Sequence, residues 1–139
     1  MKHTEILKVD SRGRIVIPRS MRKALGLVEN SQIMAISDSE SKEIKLIPLP
    51  FSEEGSFMKL QIFIPDMSGS LAKVASVFAD MGLSLIYGET LVIKKGEEAE
   101  WTVISPTPKI PMEEFTQILE KKGGALKVTI LDAKIEESQ

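Results

Sequence analysis

Lys8-Val9-Asp10-Ser11-Arg12-Gly13-Arg14-Ile15-Val16-Ile17-Pro18-Arg19-Ser20-Met21-Arg22-Lys23-Ala24-Leu25-Gly26-Leu27 carries the reading of the first third of the chain. Glu5 to Asp10 and Arg14 to Ile17 are short β-type runs on either side of Ser11-Arg12-Gly13. That loop has hairpin length, and Gly13 takes the positive φ such a turn demands. Pro18 pre-sets φ for a first helical turn, Met21 and Leu25 lie four apart on one face, and Gly26-Leu27 reads as a helix stop with its apolar clasp. Outward from there, Ile33 to Ile36 and Glu43 to Ile47 form two more strands around the polar turn Ser37 to Lys42. The expected order is ββαββ.

Charge sets this segment apart. Residues 1–50 hold nine basic and six acidic side chains, and residues 51–139 hold nine and fourteen, so +3 and −5 make up the net −2. Lys2, Lys8, Arg12, Arg14, Arg19, Arg22 and Lys23 face only Glu5 and Asp10 within residues 1–23. A basic head on an acidic body suggests a polyanion-binding head. Arginine forks onto phosphate oxygens or guanine edges, and a loop tip next to a short helix presents several such forks together. Composition alone leaves a solvated charged face as the alternative.

The strings Gly-Arg-Ile-Val-Ile-Pro and Leu-Gly-Leu within Lys8 to Leu27 closely resemble the swapped-hairpin domain of AbrB and SpoVT transition-state regulators, over about residues 4–48. The resemblance implies a homodimer in which hairpins of two chains interleave into one small β-barrel that binds double-stranded DNA. It places Arg14 and Arg22 on the family's DNA-contacting arginines and Lys23 on another basic contact, with Lys8, Arg12 and Arg19 completing the candidate set. Leu7 stands where some members carry an arginine on the first strand, which either gives Lys8 or Arg12 a compensating part or leaves a smaller footprint.

Pro48-Leu49-Pro50-Phe51-Ser52-Glu53-Glu54-Gly55-Ser56 interrupts apolar periodicity with two prolines, an acidic pair and small residues. It divides the chain into a head (1–50), a linker (51–56) and a second domain (57–139). A head this short rarely buries enough apolar surface to fold alone, so it is expected to need a copy of itself. Beyond the linker, Leu60, Ile62 and Ile64 alternate as a strand. Leu71, Val74, Ala75, Phe78 and Met81 follow at helical spacing up to Gly82. Leu83 to Ile93 and Glu100 to Ser105 form an antiparallel pair turning at Lys94 to Glu97. Pro111 opens a second helix with Glu113 and Glu114 in its first turn, Lys121 and Lys122 in its last and Gly123 as its cap. Leu126, Val128 and Ile130 close as a strand. The order βαββαβ is the ferredoxin-like arrangement, which makes the whole an α+β protein.

Ile64-Pro65-Asp66-Met67-Ser68-Gly69-Ser70-Leu71-Ala72-Lys73-Val74, with Met81-Gly82-Leu83-Ser84-Leu85, resembles the ACT domain over about residues 57–135. That is a regulatory module that commonly binds amino acids. The resemblance implies a small amino-acid-like ligand at Asp66, Met67, Ser68, Gly69, Ser70 and Ser84. Ser68 replaces the usual proline before the glycine, and Ser84 the frequent asparagine. Physically, Gly69 admits a ligand to the backbone, and free N–H groups at a helix start attract a carboxylate.

Other classes fall away. There is no cysteine and one histidine, His3, so disulfides, thiolate metal sites and nucleophile–base pairs lack their residues, and neither enzymatic activity nor a cofactor or metal is expected. Met58, Met67, Met81 and Met112 are spaced as core filling, and Tyr87 and Trp101 as packing aromatics. Acidic clusters at 53–54, 97–100 and 113–114 fit a linker, a turn and a helix start better than a metal site. Absence of a long apolar run or a signal-like start predicts a cytoplasmic protein without a membrane partner. The functional expectation is a homodimeric, or higher even-numbered, DNA-binding transcriptional regulator under metabolite control. An antitoxin of a toxin–antitoxin pair and a regulatory subunit of an enzyme are the alternatives.

Overall fold

The computed structural model describes residues 1–49 and 56–132. The chain divides into two compact units, one within Met1–Ser52 and one within Glu53–Glu137. Apart from Ser56, the linker expected over residues 51–56 lies outside the described residues.

In the first unit, the loop after Asp10 closes as the sequence predicts. Asp10 N–H donates to Arg14 O at 2.9 Å, Gly13 N–H donates to Asp10 O at 3.1 Å, and Gly13 has φ +76°. The runs on either side do not become strands, which corrects the ββαββ expectation. A ladder needs a facing row of donors and acceptors, and past this closure Glu5 to Val9 and Ile15 to Ile17 find none among the described residues of one chain. The first regular element is the helix α1 (Arg19–Leu25), opened by Pro18 at φ −56°. It is closed by Gly26 at φ +68°, with Leu27 N–H on Arg22 O at 2.8 Å. The strands β1 (Ile33–Asp38) and β2 (Glu43–Pro48) pair antiparallel, Met34 opposite Ile47 and Ile36 opposite Lys45. No described residue of 1–49 is buried.

The second unit is built differently. Its elements are β3 (Phe57–Pro65), α2 (Ser70–Asp80), β4 (Tyr87–Lys94), β5 (Glu98–Pro106), α3 (Met112–Lys121) and β6 (Lys127–Asp132). The sheet runs β4-β5-β3-β6, every pair antiparallel. Burial alternates with period two along β3 and β5, as a sheet covered on one face requires. Leu60 lies opposite Val103 and Ile62 opposite Trp101. On that face they pack with Val74, Val77 and Phe78 of α2 and Phe115 and Leu119 of α3. Phe78 meets Trp101 and Phe115 edge-to-face, with centroids 5.6 and 5.3 Å apart. Such contacts add about 0.5–1.5 kcal/mol each beyond the area they bury.

Several boundaries differ from the sequence reading. β4 begins at Tyr87 instead of Leu83, because Leu83 packs on the core as part of the connection from α2. β6 begins at Lys127, and Leu126, 55% exposed, only donates its N–H to Phe63 O. The cap after α3 is shared: Gly124 has the left-handed φ of +73°, whereas Gly123 is demanded by space, since a Cβ there would stand 2.5 Å from Leu119 O. Of the four methionines, Met58 is buried and Met81 and Met112 pack on the core, but Met67 is exposed.

Candidate nucleic-acid interface

The basic loop is organised by an acid. Asp10 Oδ1 accepts the N–H of Arg12 at 2.8 Å and of Arg14 at 2.9 Å, and Oδ2 takes the Arg14 Nε–H at 2.7 Å. An aspartate bonding backbone two residues on is the Asx turn, which fixes the loop without a partner strand. The backbone N–H of Arg14, then its guanidinium, and the N–H of Arg12 together hold the Asp10 carboxyl below its ordinary pKa. The sequence reading placed Asp10 where the first run meets the loop and counted its charge, but gave its side chain no part in the turn, although Asp-x-Arg-Gly was the available signal.

The six candidate cations fall into two groups. Arg14 is half exposed yet tied to Asp10, and Arg22 turns Nη1 back onto the carbonyl of Ile17, pinning α1 to the preceding arm. Lys8, Arg12, Arg19 and Lys23 are exposed and make no ion pair among the described residues. Lys8 and Arg12 lie on or beside the loop, and Arg19 and Lys23 lie on α1 at a spacing of four, one face of the helix. Two cations thus shape the surface, and four are free to meet an anion.

Sequence reading also missed a groove. Leu7, Ile15, Met21, Leu25, Leu27 and Leu46 are among the residues lining an apolar cavity of about 120 Å³ within the first unit. Leu25 is 56% exposed and Val16, on the adjoining run, 75%.

The second candidate set does not form one site. Asp66 Oδ2 accepts the Gly96 N–H at 2.7 Å, and Asp66 N–H donates to Glu97 O, so this carboxylate clasps the β3–α2 loop to the β4–β5 turn. Gly69 has φ +87° with no atom within 4 Å of where a Cβ would stand, and Met67, Ser68 and Gly69 are exposed beside a half-buried Ser70. Ser84 lies past the far end of α2, whose eleven residues span about 16 Å at 1.5 Å per residue. A cleft of about 780 Å³ between Met81–Leu83 and Thr107–Ile110 occupies that far end. Among the described residues, no group of histidine, aspartate and glutamate is arranged to hold a metal ion, and no helix is long and apolar enough to cross a membrane.

No curated protein matches the chain. Residues 6–53 match the family described as "Antidote-toxin recognition MazE, bacterial antitoxin". The match takes in the Asp10–Arg14 loop, α1 and both strands of the first unit, so by sequence this segment is similar to a bacterial antitoxin domain of the MazE type.

Proposed function

We propose that the chain is a DNA-binding regulator whose first unit works as a homodimer. The observation that carries this is the unburied head: an apolar groove, two unpaired β-type runs and four free cations occupy one short segment. A second copy of the same segment supplies facing strands for the runs and a cover for the groove. It also doubles the cations, as the swapped-hairpin resemblance implies. Lys8, Arg12, Arg19 and Lys23 then contact phosphates, while Arg14 and Arg22 leave Asp10 and Ile17 for DNA or hold the frame.

Salt titration of binding tests it. A dimer neutralising about 6–8 phosphates gives a slope of log affinity against log salt of about −5 to −7. Arg12→Ala should make that slope shallower by about 1 for each phosphate left without its arginine. DNA binding unchanged by Arg12→Ala with Lys23→Ala, in a folded protein, overturns the assignment.

The second unit is proposed as the regulatory half, non-enzymatic and ACT-like in its βαββαβ order. A small amino-acid-like carboxylate fits the turn at Met67 to Ser70, where open space over Gly69 adjoins the start of α2. Asp66 holds the loop and Ser84 is too distant to share the ligand. A ligand at about 100 times its Kd stabilises by about 2.7 kcal/mol, so an amino-acid screen that shifts no melting point removes this part.

The antitoxin reading is favoured by one observation, the description of the matched family itself. It predicts that loss of the gene is lethal only while a neighbouring toxin gene is intact. Viability of the single deletion rejects it.

A further inference from the structure

The cleft at the far end of α2 lies between two connections, from α2 to β4 and from β5 to α3. Met81, Leu83 and Ile110 line it. Each is half-buried and packs on the core, so the apolar surface they offer is backed by close-packed side chains. The remaining walls are stiff as well. Pro108 has a fixed φ, and Thr107 is tied down: its N–H donates to Ser56 O at 3.0 Å and its hydroxyl to the same oxygen at 3.2 Å. On the α2 side the turn is closed by Leu83 N–H on Phe78 O at 2.9 Å. The volume of about 780 Å³ falls within the range of small-molecule sites, about 300–1,000 Å³. Charge in the cleft has one sign. Lys109 is the only charged residue among the described residues that line it, and the acids nearest in sequence, Asp80 and Glu113, do not. A lysine ammonium carries three N–H donors, so a contact that Lys109 already makes does not exhaust it.

We propose that this cleft binds a small carboxylic acid with an apolar aliphatic or aromatic body. The carboxylate is met by Lys109, and the body covers Met81, Leu83 and Ile110. The site is distinct from the turn at Met67 to Ser70, from which the eleven residues of α2 separate it by about 16 Å, and it does not require that turn to hold a ligand. A free amino acid fits the cleft less well, because its ammonium group finds no carboxylate among the lining residues. A charge desolvated without a partner costs affinity. Thr107 gives the position a further meaning. A ligand there lies against the residue that holds the Ser56 carbonyl, immediately before the chain enters β3.

Amide shifts of the full-length, isotope-labelled protein test this in titrations with 3-phenylpropanoate and 4-methylpentanoate. The neutral 3-phenylpropan-1-ol and the amino acid phenylalanine, which share the phenylpropyl body, are the comparisons. Both acids are expected to give saturable shifts at Met81 to Leu83 and at Thr107, Lys109 and Ile110. Their affinity there should exceed that of the alcohol and of phenylalanine by about tenfold, the order of one charge-assisted hydrogen bond. In Lys109→Gln, acid binding should fall about tenfold while binding of the alcohol is unchanged. Shifts confined to other parts of the chain, or no saturable shift with either acid, overturn the site. Equal affinity of the cleft for acid and alcohol, or for acid and phenylalanine, overturns the ligand class, as does acid binding unaltered by Lys109→Gln. The unaltered protein maps the site by itself, so the outcome does not hang on how the variant folds.

Discussion

Thirteen apolar residues of the second unit are buried among the described residues, and in the first unit there are none. Both segments are rich in isoleucine, leucine and valine, so hydrophobic content does not separate them. Closure does. In residues 56–132 one face of β3 and β5 finds two helices of the same chain. Residues 1–49 offer one seven-residue helix, one hairpin of strands and two runs with nothing to pair against. The lesson is that an apolar pattern specifies a surface to be covered, and length decides whether the chain itself can cover it.

The largest test of this contrast is dilution. If the head's core lies between copies, its folding is coupled to association and its stability falls without limit as concentration drops. The second unit should persist. Trp101, the single tryptophan, lies in that core and reports it alone. Dilution is therefore expected to speed amide exchange in Ile33–Pro48 while Trp101 fluorescence stays native. A head that remains protected as a sedimenting monomer erases the contrast.

Truncating one side chain in each unit sharpens it. Phe78→Ala removes the ring that both Trp101 and Phe115 touch, and is expected to cost the second unit about 3–5 kcal/mol at any concentration. Leu25→Ala, on a residue more than half exposed in one chain, should cost under about 0.5 kcal/mol if it stays exposed and about 2–5 kcal/mol if a second copy covers the groove. Denaturant titrations at two protein concentrations separate these outcomes.

How much of this was legible follows the same division. The order of elements after residue 57 was readable because Leu60, Ile62 and Ile64 alternate and Val74, Ala75 and Phe78 step at helical spacing, local signals for local structure. In the head the short β-type runs Glu5 to Asp10 and Arg14 to Ile17 pointed to strands that one chain does not form. Among site residues, arginine content was visible, but not that Asp10 and the Ile17 carbonyl restrain two of the arginines. The separation of Ser84 from Gly69 was legible, since the helix expected from Leu71 up to Gly82 already had a length. Gly123 illustrates the limit: a helix cap and a close approach both demand glycine, and only neighbours in space tell them apart.

That distinction makes a smaller prediction. Gly69→Ala should cost about 1–2 kcal/mol from its left-handed backbone alone, since nothing crowds the new methyl. Gly123→Ala has no such φ, yet it drives a methyl against Leu119 O and Val74 Cα. Overpacking of this kind costs typically about 1–3 kcal/mol and more where backbone must move. Thermal melts that rank Gly69→Ala as the worse of the two would refute the close-approach account.

The smallest effect expected is an acid response of the head. Asp10 is exposed, and its carboxyl is held below the ordinary value chiefly by the Arg14 backbone N–H, then by the Arg14 guanidinium and the Arg12 N–H. Asp38, the last residue of β1, is lowered in the same sense by the N–H groups of Glu40 and Ser41 in the turn that follows. A carboxyl with a depressed folded-state pKa stabilises fully above its unfolded pKa and loses that contribution as pH falls through the folded value. The window therefore lies below about pH 4, and nothing should change near neutrality. Amide exchange at Arg12 and Arg14, corrected for its intrinsic pH dependence, is expected to stay slow down to about pH 4 and to quicken below it. In Asp10→Asn the side-chain oxygen still accepts both N–H groups, but the charge that binds the Arg14 guanidinium is gone. That variant should keep the turn while losing the acid response at these two amides, with the response around Asp38 unaltered. If the two amides quicken equally in Asp10→Asn, the loop is held by something other than this carboxylate, and the basic surface it presents is not set by Asp10.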